Sequence, residues 1–340
     1  MKTASAVALA LALAAFPAGA QNVKVTPLGS HAGELCDRDR ATIFEDPTGV
    51  RILYDVGQTL TGADDARLGA VHIVLLTHAH GDHLGDRKLK AIGGGTCAAP
   101  ETLPAGSHSV TAEVAAAKNS AIVMVSDMAQ FVGTKMAGLR GGKAVGPCPA
   151  KDNVVDVPVA DACRSTTNPG GVFTARAAGA SQSVEITLVH AHHTNNVPLS
   201  LLSEAHRAMH AADGTGLALG PPIGYVVKFT NGLVAYLSGD TGIHTEMKTV
   251  VNEYHRANLA VFNGGLSAGT NASVAQSLNE LVKPATVLWT HPNEAVTEGG
   301  KLRPASRAAA IQKMLKAPMH FAISGTILEF DGKGKCVAGC

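Results

Sequence analysis

The chain has 340 residues, of which 46% are hydrophobic and 16% charged, and its formal net charge is +1 at pH 7. This composition indicates a globular protein with enough apolar material for a sizeable core, and it excludes a disordered chain. A charge so close to zero argues against binding to nucleic acid or to an anionic membrane surface. We therefore expect a small-molecule substrate and no nucleic-acid partner.

The first twenty residues predict a secretory signal peptide. A charged start at Lys2 is followed by an apolar run over residues 6–16 and by the small-residue stretch PAGA before Gln21. The run is shorter than the roughly 20 residues that cross a bilayer, which favours a signal peptide over a membrane anchor. We expect a signal peptide over residues 1–20, one domain over residues 21–340, no stable membrane insertion after signal cleavage, and a periplasmic or secreted protein.

All six cysteines follow the predicted signal peptide. An even number of cysteines in an oxidising compartment favours disulfides over thiol chemistry, and the absence of a CxxC pair argues against a cysteine-rich zinc knuckle. Several pairings remain open, and proximity along the chain favours Cys36 with Cys97, Cys148 with Cys163, and Cys336 with Cys340.

The first half of the chain combines a strand meander with alternating helices and strands. The runs VKVTPLG, ATIFED and VRILYDVG predict short antiparallel strands, and VHIVLLT predicts a strand buried on both faces. The Ala-rich segment 110–118 predicts a helix, and AIVMV predicts another buried strand. Ser126 and Asp127 then predict the N-cap of a helix that runs to Met136.

The second half repeats this order. The runs VVDVPV, VFTARAAG and SVEITLVHAHH predict strands, and Asn231 with Gly232 predicts a hairpin between GYVVKFT and LVAYLSGD. A helix over about 272–282, the strand ATVLWTH, a helix over about 305–315 and the run HFAISGTILEF follow. A strand meander followed by helices occurs twice along the chain. This order predicts an α/β fold, namely an αβ/βα sandwich of two mixed β-sheets with helices on the outer faces.

A dense group of ionisable residues lies in LLTHAHGDHLGD, directly after a strand-like run. His78 and His80 can converge on one ion, while Asp82 and His83 point to a second position beside it. Imidazole and carboxylate groups are ligands of zinc, and burying so many ionisable groups without an ion is unfavourable. The segment therefore predicts a metal site rather than a polar surface loop.

Three further strand ends carry residues that can bind a metal. The segment TLVHAHHTNN contains His190, His192 and His193, YLSGDTG contains Asp240, and VLWTHPNEA contains His291. Each segment begins as a hydrophobic strand-like run, so one edge of the sandwich can collect all of these side chains.

The order HxHxDH, a later histidine, GDT and a final histidine resembles the metallo-β-lactamase superfamily over nearly the whole chain after residue 20. The segments YLSGDTGIHTEMK, LNELVKPATVLWTHPNEA and ISGTILEF are similar to its ascorbate-6-phosphate lactonase-like branch of metal-dependent hydrolases. The resemblance implies the metallo-β-lactamase fold and two Zn²⁺ ions. The ligands that it implies are His78, His80 and His193 on one zinc, Asp82, His83 and His291 on the other, and Asp240 bridging both.

His193 is preferred within the second histidine cluster because the superfamily's ligand is commonly followed by Ser or Thr, and Thr194 follows here. Alternation along a strand would place His190 and His192 on one face and His193 on the other. Whether His190 or His192 replaces His193 as ligand stays open at this point.

The resemblance implies an exported dinuclear zinc hydrolase, in which a metal-bridging hydroxide opens a small-molecule carbonyl bond and Asp82 accepts and returns a proton. Asp240 favours a lactone or ester over a β-lactam, although export keeps a β-lactam among the candidates. His80 stands where oxygen-reducing diiron relatives usually have Glu, which argues against a redox reaction. The alternatives are a small-molecule phosphodiesterase on the same dinuclear site and a non-catalytic zinc-binding protein.

Other polar residues have two interpretations each. Asp55, at a strand end, either orients a ligand histidine through its free ring N–H or forms a turn. His206 and His210 lie four apart on a predicted helix and are interpreted as solvated surface rather than a further metal site. Asn195 and Asn196 are interpreted as turn residues rather than substrate contacts.

Overall fold

The structure is a computed structural model that describes residues 21–165, 167–265 and 268–340. The predicted signal peptide, residues 1–20, lies outside these ranges. Within them, no helix is both long and apolar enough to cross a lipid bilayer.

Two mixed sheets of eight strands each form the framework of the described residues. In spatial order the first sheet contains Cys163–Arg164, Ala121–Val123, Ile73–Leu75, Arg51–Tyr54, Thr42–Glu45, Val23–Pro27, Leu328–Phe330 and Cys336–Ala338. The second contains Val154–Val157, Val172–Ala177, Val184–His190, Ile223–Lys228, Val234–Leu237, Leu259–Asn263, Thr286–Thr290 and Met319–Phe321. In each sheet a run of antiparallel strands is followed along the chain by parallel strands, as predicted.

Three short two-stranded ribbons accompany the sheets. They pair Arg87–Leu89 with Thr102–Pro104, Gly95–Thr96 with Ala99–Pro100, and Thr297–Glu298 with Lys301–Leu302.

The helices of the described residues are Gly81–Leu84, Val110–Ala117, Ser126–Leu139, Glu204–Asp213, Met247–Tyr254, Asn271–Gln276, Ser277–Val282 and Arg307–Gln312, and Leu199–Leu201 forms a 3₁₀ turn. Val110–Ala117 and Ser126–Leu139 pack on each other and on strands of the first sheet. Met247–Tyr254 packs on Ser277–Val282, and both have the wider π-type hydrogen bonding. The predicted αβ/βα sandwich of two mixed sheets with helices is confirmed.

Buried tyrosines link the two sheets close to their strand ends. The Tyr225 hydroxyl, from the second sheet, lies 2.7 Å from the carbonyl oxygens of Leu76 and Val123 beside the first. In the opposite direction, the Tyr54 hydroxyl accepts a 3.0 Å hydrogen bond from the amide of Gly239. One apolar core contains side chains of both sheets. These contacts fix the strand ends of one sheet relative to those of the other.

Some element boundaries differ from the sequence prediction. Ser126 is the first helical residue rather than the N-cap, because Val125, whose backbone is extended, occupies the N-cap position. The last helix is Arg307–Gln312, shorter than the predicted 305–315, and its N-cap is Ser306, whose hydroxyl accepts from the amide of Ala309.

The run HFAISGTILEF is not a single strand. Met319–Phe321 pairs in the second sheet, whereas Leu328–Phe330 pairs with Val23–Pro27 in the first. The backbone turns between them at Gly325, whose φ of 81° lies in the region that glycine adopts without strain. The end of the chain therefore crosses from one sheet to the other.

All six cysteines lie in the described residues, and none of them is free. The structure pairs Cys36 with Cys97, Cys148 with Cys163, and Cys336 with Cys340. This is the pairing that proximity along the chain favours.

Candidate metal centre

The predicted metal-binding residues lie at the C-terminal ends of neighbouring strands. His78 and His80 follow Ile73–Leu75, and His193 follows Val184–His190 in the second sheet. Asp240 follows Val234–Leu237, and His291 directly follows Thr286–Thr290. Because these strand ends meet at one edge of the sandwich, residues far apart in sequence come together there.

The HxHxDH segment includes the short helix Gly81–Leu84, which places Asp82 in its first turn and His83 beside it. The helix ends at Gly85, whose φ is 77° and whose added Cβ would lie 2.5 Å from the carbonyl oxygen of Gly57. Only glycine fits this position without strain, so the chain turns sharply after His83 and keeps that ring buried.

One group of three ring nitrogens is formed by His78, His80 and His193. His80 Nδ1 lies 3.3 Å from His193 Nε2. The ring of His78 is fully buried, and its Nδ1 lies 3.0 Å from the Thr77 hydroxyl. Its Nε2 is buried and has no hydrogen-bond partner among the described residues. A buried ring nitrogen that faces two other imidazoles without a partner is suited to bind a metal.

A second group contains Asp82, His83 and His291. His291 Nε2 lies 2.9 Å from His83 Nε2 and 3.3 Å from Asp82 Oδ2. His83 Nε2 lies 3.9 Å from the same oxygen of Asp82. These three residues therefore present one carboxylate oxygen and two ring nitrogens to a common point.

Asp240 lies between the two groups. Its Oδ1 is 3.4 Å from His83 Nε2 and 3.3 Å from His291 Nε2, while its Oδ2 is 3.8 Å from His193 Nε2. The side-chain amide of Asn263 donates to Oδ1 at 3.1 Å. The two oxygens of one carboxylate thus face different groups of histidines, which is the arrangement that a bridging ligand needs.

The spacing of these donor atoms fits a zinc site. Four ligands at zinc bond lengths of about 2.0–2.1 Å form a tetrahedron with edges of about 3.3 Å. Distances of 3.3 Å occur between His80 and His193 and between His291 and each of the two carboxylates. The donors are imidazole and carboxylate groups without thiolates, a set that zinc accepts.

The charges of the site favour a cation. Burial alone would raise the pKa values of Asp82 and Asp240, but neighbouring His83 and His291 hold both pKa values well below the usual range of a carboxyl group. Burial would lower the pKa of His83, but Asp240 and Asp55 outweigh burial and raise it to about 10. Both carboxylates therefore stay ionised in a largely buried site, where they attract positive charge, and the proton that they hold on His83 is released when its ring binds a metal.

Asp55 contacts the ring of His83, as expected if it orients a ligand histidine rather than forming a turn. Its Oδ2 lies 2.8 Å from His83 Nδ1, and its Oδ1 accepts the amide of Thr77 at 2.9 Å. A carboxylate that accepts the Nδ1 proton leaves the Nε2 lone pair of His83 free for a metal. The same residue therefore orients His83 and anchors the loop that begins at Thr77.

We expect Asp55→Asn to weaken zinc binding at the Asp82, His83 and His291 group by about 10- to 100-fold. Asparagine has one oxygen, so it cannot accept from both His83 and the Thr77 amide. Competition with a chromophoric chelator measures the affinity. Asp46→Asn is a matched control, since Asp46 is also buried but accepts from Thr48 and Thr230 instead. Equal zinc affinity in Asp55→Asn and in the unmodified protein would contradict the orienting role.

His193 is the member of its cluster whose ring lies against His78 and His80. His190 is exposed, with Nδ1 3.2 Å from a Glu246 oxygen. The ring of His192 stacks on His244 at a centroid distance of 4.7 Å. Neither His190 nor His192 belongs to a group of potential metal-binding atoms among the described residues.

The remaining polar residues lie outside the centre or support it. His206 and His210 are on the helix Glu204–Asp213, which buries none of its residues. Asn195 is buried, in contrast to an ordinary turn residue: its Oδ1 accepts the amide of Ala79 at 2.6 Å, and its amide group donates to the Leu219 carbonyl at 2.9 Å. Asn195 therefore connects the HxHxDH segment to the chain around Leu219.

The residues around the centre that the sequence did not identify include Arg40, Asn263 and Asn293. Asn263 ends the hydrophobic run LAVFN, so the same search of strand ends that found Asp240 would have found it. Arg40 donates to Asp82 at 2.9 Å and to Asn293 at 2.6 Å. It lies in the charged segment CDRDR, where nothing in the sequence distinguishes it from Arg38.

Another group of potential ligands, His320 with Cys336 and Cys340, lies away from this edge of the sandwich. Both sulfur atoms are joined in a disulfide, so neither is available as a thiolate for a metal.

The chain has relatives among curated proteins and solved structures. No family model matches the chain. A UPF0173 metal-dependent hydrolase of Cupriavidus metallidurans is 25% identical over 236 residues, a match that covers 66% of this chain and 58% of that protein.

Among solved structures, the metallo hydrolase Igni18 of Ignicoccus hospitalis has a TM-score of 0.53 at 17% identity, with 91% of this chain and 99% of that chain covered. The metallo-β-lactamase fold protein YhfI of Bacillus subtilis has a TM-score of 0.48 at 14% identity, with 91% and 99% covered.

Proposed function

We propose that this chain is a metal-dependent hydrolase of the metallo-β-lactamase superfamily and that it uses two zinc ions to open an activated carbonyl bond in a small molecule. The position of Asp240 carries this proposal. Its two oxygens face different groups of ring nitrogens, so one carboxylate can bridge two ions. His78, His80 and His193 would hold one ion, and Asp82, His83 and His291 would hold the other.

Bound zinc supplies a water whose pKa is lowered to about 7 and polarises the bond under attack. Within this chain, Asp82 is the residue proposed to accept a proton from that water and return it to the leaving group. The Asp82 side chain is 34% exposed, whereas that of Asp240 is 8% exposed. Asp82 can therefore reach substrate and solvent while Asp240 stays buried.

A carbonyl substrate is favoured over a phosphodiester by the surroundings of the centre. Arg40, which contacts Asp82, already donates to Asn293 and to the backbone carbonyls of Asp37 and Asp39. Both terminal nitrogens of its guanidinium are therefore engaged by the protein, and its Nε, which has no partner among the described residues, is buried away from a phosphate in solution. The net charge of +1 gives no general attraction to anionic polymers either.

Within the carbonyl class, we propose a lactone or ester first and a β-lactam second, following the bridging Asp240 and the resemblance to the lactonase-like branch. An exported location, periplasmic or secreted, is part of the proposal. It is supported by the pairing of all six cysteines in disulfides, which persist in oxidising compartments.

The test is a substrate panel assayed with zinc-loaded and chelated protein lacking residues 1–20. The panel contains an aliphatic lactone, a p-nitrophenyl ester, a chromogenic cephalosporin and bis-p-nitrophenyl phosphate. We expect zinc-dependent turnover of the lactone or the ester. His206→Ala serves as the control, because it removes an exposed histidine that lies outside the centre.

The other outcomes separate the alternatives. Turnover of the cephalosporin alone would narrow the carbonyl class to β-lactams. Turnover of the phosphodiester alone would replace the proposed reaction with phosphodiester cleavage on the same centre. Two bound zinc ions with no turnover of any substrate would favour a zinc-binding protein without catalysis.

A further inference from the structure

Arg40 is a buried arginine that lies against the group formed by Asp82, His83 and His291. Its side chain is 3% exposed. The same nitrogen, Nη2, donates to Asp82 Oδ2 at 2.9 Å and to Asn293 Oδ1 at 2.6 Å. Asp82 lies in the short helix of the HxHxDH segment, whereas Asn293 is two residues after His291. Arg40 therefore connects the two segments that supply ligands to this group.

The other terminal nitrogen of Arg40 is held by the backbone. Nη1 donates to the carbonyl oxygens of Asp37 at 3.0 Å and Asp39 at 3.3 Å. A planar guanidinium whose donors point in fixed directions can make these contacts and those to Asp82 and Asn293 at the same time. The group is thus fixed in one orientation.

The segment that carries Arg40 is itself anchored. Cys36 is joined to Cys97 by a disulfide, and the amide of Asp37 donates to the Cys97 carbonyl at 3.1 Å. The buried Asp39 carboxylate accepts from the amides of Ser30 at 2.7 Å and Cys36 at 2.8 Å. Arg40 therefore reaches the centre from a backbone that has little freedom to move.

The backbone at Gly57 leaves room for the aliphatic part of the Arg40 side chain. A Cβ added at Gly57 would lie 2.8 Å from Arg40 Cβ and 3.1 Å from the carbonyl oxygen of Asp82. Gly57 thus allows Arg40 and the Asp82 backbone to pack closely on the same side of the centre.

We propose that Arg40 is a positioning residue for the second metal position, formed by Asp82, His83 and His291. This inference rests on the proposed dinuclear function. Arg40 holds Asp82 and the segment after His291 at a fixed separation, so that their donor atoms are in place before an ion binds. Among the described residues, Arg40 forms no hydrogen bond or ion pair with His78, His80 or His193, so the proposal leaves that position unaffected.

The test variant is Arg40→Lys, which keeps the positive charge and removes the guanidinium. A lysine has one ammonium group and cannot reach both Asp82 and Asn293 while also donating to two backbone carbonyls. We expect the first equivalent of zinc to bind with unchanged affinity and the second to bind about 10- to 100-fold more weakly. The readout is zinc titration of metal-free protein in competition with a chromophoric chelator, with Co²⁺ absorption as a second readout.

Arg38→Lys is the matched control, because Arg38 lies on the same segment but donates to Gln58 at 2.6 Å instead of to the centre. Thermal unfolding of each metal-free variant reports whether it is folded. If Arg40→Lys does not fold, Asn293→Gly is tested instead, because it removes the side-chain oxygen to which Arg40 donates. Glycine tolerates the φ of 54° at this position. The expected effect of Asn293→Gly is again confined to the second equivalent of zinc.

Unchanged affinity for the second equivalent in Arg40→Lys, or in Asn293→Gly if the lysine variant does not fold, would overturn the positioning role. Equal weakening of both equivalents in a folded variant would also overturn it. A further variant, Arg40→Gln, removes the positive charge. Tighter binding of the second ion by this variant would mean that Arg40 repels the ion, and would also overturn the positioning role. If the unmodified protein bound no zinc, the proposed function itself would fail. Binding of two ions with no effect of either variant would remove only the role of Arg40.

Discussion

An Asp240→Asn protein is expected to bind one zinc ion instead of the two proposed for the unmodified protein, and to lose hydrolytic activity by more than about 100-fold. Removing a residue that only contacts a metal ligand costs up to about 100-fold in activity. We expect a larger loss here because Asp240 is itself a proposed ligand. The two Asp240 oxygens face opposite groups of histidines, and asparagine replaces one oxygen with an amide nitrogen that cannot bind zinc. The substitution also removes a buried negative charge between the two positions.

Zinc content measured by elemental analysis after gel filtration gives the occupancy, and turnover of the active substrate gives the rate. Asp46→Asn, the buried aspartate outside the centre, should retain two ions and full activity. Two bound zinc ions and full turnover in Asp240→Asn would contradict the bridging role.

Removal of metal is expected to lower the melting temperature of the unmodified protein by several degrees. An ion that binds only the folded protein at about 100 times its dissociation constant stabilises it by about 2.7 kcal/mol per site. Among the described residues, the buried His78 Nε2 has no hydrogen-bond partner that would replace a metal ion. Buried polar atoms without partners destabilise the folded state.

Differential scanning fluorimetry of protein treated with a chelator, followed by addition of zinc or magnesium, measures this effect. Zinc should restore the melting temperature. Magnesium should not, because it prefers oxygen ligands in octahedral geometry and the centre offers mainly imidazole nitrogens. His206→Ala should show the same shift as the unmodified protein. Equal melting temperatures for chelated and zinc-loaded protein would contradict metal binding by the folded state.

Much of the fold could be predicted because each strand is encoded by a local pattern. Hydrophobic runs that end in a histidine or aspartate identified strand ends such as those before His78, Asp240 and His291, and the parallel strands bring these ends together. The predicted hairpin at Asn231 and Gly232 also depends only on neighbouring residues.

The contacts around the centre could not be predicted because they depend on tertiary packing. Arg40 reaches Asp82 across 42 residues of sequence and Asn293 across 253, and no local pattern encodes either distance. The interpretation of Asn195 as a turn residue was incomplete for the same reason. Its partners, Ala79 and Leu219, lie 116 and 24 residues away, so its burial becomes evident only in the folded chain.

The crossing of the chain's end into the first sheet has a consequence for synthesis. Val23–Pro27 pairs with Thr42–Glu45 on one side and with Leu328–Phe330 on the other. The second neighbour is translated long after the first, so a ribosome-bound chain keeps an unpaired edge on Val23–Pro27 until Leu328–Phe330 has been made. Unpaired strand edges attract other chains, and contacts between distant parts of a sequence form slowly. Completion of the first sheet therefore has to wait until Leu328–Phe330 has emerged from the ribosome.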